Sequence, residues 1–158
     1  MPTIKIKHII NADIQLVFDL ARSIDLHEIS TKRTNEKAIG GVTSGLIEKN
    51  ETVTWRAKHF GIYQKLTVKI TEMKSPNYFS DEMQKGAFKR FKHEHFFEEQ
   101  NGVVVMNDVF DYTSPLGFLG KIADKLFLKK YMTRFLIERN NIIKEFAESE
   151  KWKEVLEK

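Results

Sequence analysis

Apolar and charged residues alternate over Ile4, Lys5, Ile6 and Lys7 and the pattern runs on to Ile9 and Ile10, which predicts a half-buried strand from about Thr3 to Ile10. The period then changes. Ile14, Val17, Phe18 and Ala21 recur at intervals of three and four, the spacing that gathers them on one helix face, so a short helix capped by Asn11 is expected to about Arg22. Ile24 to Ser30 reads as a second short turn and Thr31 to Lys37 as a polar loop. Alternation resumes from Val42 to Glu48 after Gly40 and Gly41, and Thr52 to Phe60 follows, the two together predicting a hairpin.

Past Gly61, the residues Ile62, Gln64, Leu66, Val68 and Ile70 form one face of a strand, with Tyr63, Lys65, Thr67, Lys69 and Thr71 on the other. Ser75, Pro76 and Asn77 mark a turn, Tyr78 to Gln84 a further strand, and Ala87 to Glu98 a long extended stretch after Gly86. Gln100, Asn101 and Gly102 carry hairpin-turn chemistry, so Val103 to Thr113 is the last strand, antiparallel to the stretch before it. From Ser114 the pattern becomes helical. Ser114 before Pro115 is a start signal, and an apolar stripe runs from Leu116 through Leu119, Ile122, Leu126, Phe135 and Ile143 to Phe146, with Gly117 and Gly120 delaying the regular start. Such a helix is long enough to span a small domain.

One strand, two short helices, a series of antiparallel strands and one long terminal helix suggest an α+β architecture in which an open sheet curls around the helix. A length of 158 residues with 41% hydrophobic content fits a single domain over 1–158. The space between the concave sheet and the helix is the expected pocket.

Charge changes this picture little. The formal net charge of +4 comes from lysines and arginines scattered among 22 acids, and Lys121, Lys125 and Lys129 fall four apart as a solvated helix face does. No nucleic-acid partner is expected. Cysteine is absent, which excludes disulfides, thiolate metal sites and Cys nucleophiles. The opening residues alternate where a signal peptide needs a continuous apolar run, and no run is long enough to cross a bilayer. A cytoplasmic protein without stable membrane insertion is the expectation.

The candidate chemistry lies in Phe91, Lys92, His93, Glu94, His95, Phe96 and Phe97. In an extended strand, Phe91, His93, His95 and Phe97 point to one face, and on the next strand Met106, Asp108, Phe110 and Tyr112 do the same. Trp55, Ala57 and His59 alternate likewise on an earlier strand. Three readings compete. The imidazoles and Asp108 form structural cross-strand pairs; or they orient a guest in a mostly apolar cavity; or they do chemistry. In the third, His93 or His95 is a general base oriented by Asp108 or Asp81, or His59, His93 and His95 hold a metal. The residues assign no cofactor and no metal. A one-residue slip near Gly86 would turn both histidines to the opposite face.

Val17, Phe18, Asp19 and Leu20 in the first helix, Asp108 to Tyr112 in the last strand, and Ser114 to Gly120 at the start of the terminal helix resemble the START-like superfamily, also labelled SRPBCC, which includes polyketide cyclases and dehydrases. The stretch from Phe91 to Phe97 followed by Asp108 to Gly120 is similar to a bacterial subgroup that occurs alone or fused to sugar-epimerase-like domains. The resemblance covers nearly the whole chain. It implies the helix-grip fold, a curved seven-stranded antiparallel sheet around a long C-terminal helix with two short helices after the first strand, and a deep cavity for a lipid, polyketide or similar apolar molecule. By position the cavity would be lined by Trp55, His59, Phe88, Phe91, His93, His95, Met106, Phe110 and Tyr112, with Leu126, Met132 and Phe135 from the helix. Binding of a small apolar ligand is the first functional expectation. A cyclase or dehydrase using His93 or His95 with Asp108 is the alternative, and a protein-interaction module is the third.

Overall fold

The computed structural model describes residues 2–157. Strand β1 (Thr3–Ile10) leads into helices α1 (Ile14–Ala21) and α2 (Ile24–Ser30), and strands β2 (Lys37–Gly41), β3 (Thr52–His59), β4 (Ile62–Lys74), β5 (Tyr78–Lys85), β6 (Arg90–Gln100) and β7 (Val103–Thr113) follow. The terminal helix is unbroken from α3 (Gly117–Ala123) through a π-helical turn (Asp124–Leu128) to α4 (Lys129–Ala147), and a short α5 (Lys153–Leu156) ends the chain. The seven strands make one antiparallel sheet in the order β1-β7-β6-β5-β4-β3-β2. Only the first strand leaves sequence order, crossing by way of α1 and α2 to pair with the last.

The alternation of β1 buries Ile4, Ile6 and Ile10 under α4, which packs on β1, α1 and α2. Phe18 of α1 closes this end of the core, its ring set edge-on against Phe79 and Phe97 with centroids 5.6 and 5.5 Å apart. Perpendicular rings at such distances suit the aromatic quadrupole.

Local details depart from expectation where a neighbour decides them. Asp13, not Asn11, caps α1 by accepting from the Leu16 N–H at 3.1 Å, while the Asn11 N–H donates to Glu148 at the far end of the chain. The strand expected at 42–48 lies instead at Lys37–Gly41. Gly41 ends it in the left-handed region, φ 67°, because a Cβ there would lie 2.1 Å from the Thr52 carbonyl oxygen. Residues 42–51 then form an irregular connection, tied to α2 by a lone bridge between Ser23 and Leu46.

The terminal helix begins later than Ser114 and Pro115 suggest. Leu116 and Gly117 both take positive φ, 66° and 52°, and the cap position of α3 falls on Leu116 rather than Ser114. Gly120 then packs directly on this turn, where a Cβ would stand 1.9 Å from the Pro115 carbonyl oxygen. Gly120→Ala must push the backbone apart. The expected loss is about 1–3 kcal/mol, the usual cost of overpacking, measured by urea denaturation; an unchanged midpoint would contradict this packing.

The apolar stripe does not bury along its whole length. Leu116, Phe118, Leu119, Ile122, Leu126 and Phe127 are exposed, and burial becomes regular only within α4, at Met132, Leu136, Ile143 and Phe146. The sheet and short helices pack against α4 rather than α3. No helix among the described residues is long and apolar enough to cross a membrane.

Candidate functional site

Between the concave face of the sheet and α4 lies a cavity of about 300 Å³. Its wall is mostly apolar: Val53 and Trp55 of β3, Leu66, Val68 and Ile70 of β4, Phe79 of β5, Phe91 and Phe110, with Met132, Phe135 and Leu136 from the helix. Period-two alternation explains the choice of residues on β3 and β4, since every second side chain points inward. Phe60, Pro115, Leu128 and Tyr131 also reach the wall, and the exposed Phe60 ring packs on Phe127 and Tyr131, with centroids 5.8 and 4.6 Å away.

Two polar clusters interrupt this wall. The first is built across β5, β6 and β7. Register places Asp81 opposite His93 and His95 opposite Asp108, so the four side chains form a checkerboard on the inner face. The bonds run along its diagonals. His93 Nε2 donates to Asp108 Oδ1 at 3.1 Å, and His95 Nε2 donates to Asp81 Oδ1 at 2.9 Å. His95 Nδ1 also stands 2.7 Å from Asp108 Oδ1, though off the line of a hydrogen bond, and His93 Nδ1 is 4.0 Å from Asp81. Asp108 is braced from behind, since Asn140 of α4 donates to its other oxygen and Arg139 donates to Asn140 and to the Ala21 carbonyl.

Burial opposes charge throughout this cluster, and the neighbours decide which groups keep it. For Asp108, the hydrogen bond from His93 and the imidazole of His95 close by overcome burial and hold the carboxyl well below its ordinary range. Asp81 is likewise lowered against burial, by the His95 hydrogen bond, both imidazoles and Arg139. The histidines diverge. Burial and the adjacent His95 lower His93 despite Asp108 and Asp81, whereas for His95 the two carboxylates outweigh burial and raise it. The two carboxylates thus favour protonation of His95 over that of His93.

The second cluster went unmarked in the sequence. Glu36, in the loop before β2, is buried against the cavity; one oxygen accepts from His27 Nε2 at 3.0 Å and the other receives no hydrogen bond from the described residues. Burial alone would raise its pKa, but His27, His59 and Arg139 keep it below the ordinary value. His27 stacks on Trp55 with centroids 4.1 Å apart, and His59 shares a 2.7 Å hydrogen bond with Tyr131. A lone Glu in a polar stretch gives no sign of burial. Only its folding against α2 and β3 reveals it.

Of the residues expected at the cavity, Trp55, His59, Phe88, Phe91, His93, His95, Phe110, Met132 and Phe135 line it. Three do not, and Asp108, expected as the partner of the histidines, lies behind them. Met106 and Tyr112 are wholly buried in the layer between sheet and helix, Tyr112 donating to Asp124 at 2.8 Å. Leu126 is 72% exposed, because it precedes the part of the helix that the sheet supports. His59 is held by Tyr131 and does not join His93 and His95, so the three-histidine metal set of the alternative reading is not assembled. Asp81 takes that place: its carboxylate oxygen and one nitrogen from each of His93 and His95 lie within 4.8 Å of one another.

This architecture recurs in solved structures. TTHA0849 from Thermus thermophilus is similar over 92% of this chain and 97% of its own, with a TM-score of 0.75 and 16% sequence identity. A START superfamily protein from Mycobacterium smegmatis has the same coverage, with a TM-score of 0.69 and 9% identity. The chain has the START-like, helix-grip fold. A plant protein shares it too: ginseng major latex-like protein 151 from Panax ginseng aligns with a TM-score of 0.68 and 12% identity over 92% of this chain and 97% of that one. No protein-family model matches the chain, and no curated protein matches it by sequence. In this fold the cavity described above lies between the sheet and the long helix. Fold alone does not select the ligand.

Proposed function

We propose that this protein binds one small, largely apolar molecule in the cavity between sheet and terminal helix, and that the molecule carries a hydrogen-bond donor. The buried Glu36 carboxylate supports this reading most directly. Its charge is kept by its neighbours, yet one oxygen accepts nothing from the described residues, and a buried acceptor left in that state is costly unless something donates to it. An otherwise apolar wall with a few aimed polar groups is the usual composition of a small-molecule site. The cavity volume of about 300 Å³ suits a compact guest more than a long-chain lipid.

Native mass spectrometry of protein purified from its own cells, followed by denaturation and identification of the released material, tests the proposal. A stoichiometric, mostly apolar molecule bearing a hydroxyl or amine is the expected result. Protein that is repeatedly empty and co-purifies with another chain would overturn it in favour of an interaction module.

A further inference from the structure

The checkerboard of β5, β6 and β7 has a donor count that the apolar guest does not explain. His93 spends its Nε2 proton on Asp108, so in the neutral ring Nδ1 carries a lone pair. That lone pair faces Asp81 from 4.0 Å. His95 donates from Nε2 to the same Asp81 oxygen at 2.9 Å, while its Nδ1, 2.7 Å from Asp108, has no hydrogen-bond partner among the described residues. A cation that displaces the Nε2 proton of His95 meets three electron-pair donors, one from each of Asp81, His93 and His95, gathered within 4.8 Å of one another on the cavity wall.

We propose that Asp81, His93 and His95 form a binding site for a divalent transition-metal cation of the zinc class, with its remaining coordination positions open to the cavity. Two imidazoles and one carboxylate suit such an ion, and three protein ligands leave room for water or a ligand atom. Metal bonds of about 2.0–2.2 Å bring ligand atoms to roughly 3–3.5 Å of each other. The Asp81 to His95 distance of 2.9 Å is already close to that range, and His93, whose Nδ1 stands 4.0 Å from Asp81, must close in on the other two.

The surroundings favour a metal over a merely structural pair. Asp108 stands behind both rings, hydrogen-bonded to His93 and 2.7 Å from His95 Nδ1, the place of the outer carboxylate that orients ligating histidines. It is itself fixed by Asn140, and Asn140 by Arg139. All three proposed ligands line the cavity, while the orienting Asp108 does not. Their backbones belong to adjacent paired strands, and sites on such elements are held more precisely than sites on loops. The inference does not depend on the apolar guest, since the metal can bind without it.

The test uses full-length protein freed of metal by dialysis against a chelator. Zinc alone is titrated by calorimetry, and cobalt(II) alone by visible absorption. One equivalent should bind at micromolar Kd or tighter, and the cobalt form should show the intense d–d bands of a four- or five-coordinate site. Asp81→Asn and His93→Gln should each weaken zinc at least tenfold, while His8→Ala, far from the cavity, should leave it unchanged. Should a variant misfold, X-ray absorption of the zinc-loaded wild type decides, with two imidazoles in the first shell expected. Absence of uptake, or binding unaffected in folded Asp81→Asn and His93→Gln, would overturn the site. Binding of an apolar dye to the metal-free protein is measured in parallel, so loss of this proposal and loss of the cavity reading are told apart.

Discussion

Asp108→Asn should lower the free energy of unfolding by about 3–5 kcal/mol at neutral pH, the range found when one partner of a buried charged pair is removed. The substitution is nearly isosteric, so the loss comes from charge and proton count. Asp108 accepts from His93 on one oxygen and from Asn140 on the other, and His95 presses on the first. An amide must turn its NH2 toward one of these donors, whichever way it is placed, and a donor facing a donor in a buried site forfeits the hydrogen bond. The pH dependence has a fixed sign. The folded protein holds the Asp108 carboxyl well below the ordinary 3.8, so its contribution is complete above about pH 4 and fades as pH falls through the depressed value. Urea denaturation of metal-free wild type and variant should therefore show a wide gap at pH 7 that narrows under strong acid. Equal stability at pH 7 would refute the network described for this cluster.

Leu66→Trp should reduce affinity for an apolar fluorescent dye at least tenfold, equivalent to about 1.4 kcal/mol. Leu66 lies on the inner face of β4 and lines the cavity, half-buried rather than locked in the core. An indole there extends into space that the guest needs, so it competes with the dye instead of displacing close-packed neighbours. Stability should change far less than for Asp108→Asn. Unchanged dye affinity in a folded Leu66→Trp protein would place the binding site elsewhere.

The two effects rest on different parts of the molecule, and the sequence exposed them unequally. His93, His95 and Asp108 were readable as a group because period two fixes the inner face of a strand and Asn101-Gly102 fixes which strands are neighbours. The register through Gly86 holds both histidines inward, opposite Phe110 and Asp108. Asp81 was half visible, as a partner for the imidazoles, but its place opposite His93 depends on how β5 meets β6. Glu36, Arg139 and Asn140 left no trace in any local pattern. They reach the site from a loop and from a helix that follows it by a hundred residues, and no periodicity encodes that distance.

Leu126 shows the opposite failure. It belongs to the run of apolar residues that continues through Phe135 and Ile143, yet such a run says nothing about where the supporting sheet ends. By itself the sequence determined most of the elements, the faces their side chains share and the α+β architecture, because these follow from chain-local periods and turn chemistry. Tertiary structure alone decided which apolar faces are covered, which polar groups are buried, and that Asp81 rather than His59 stands beside the two histidines. Those outcomes follow from contacts between distant segments, where burial and charge are set by neighbours that the local pattern does not name.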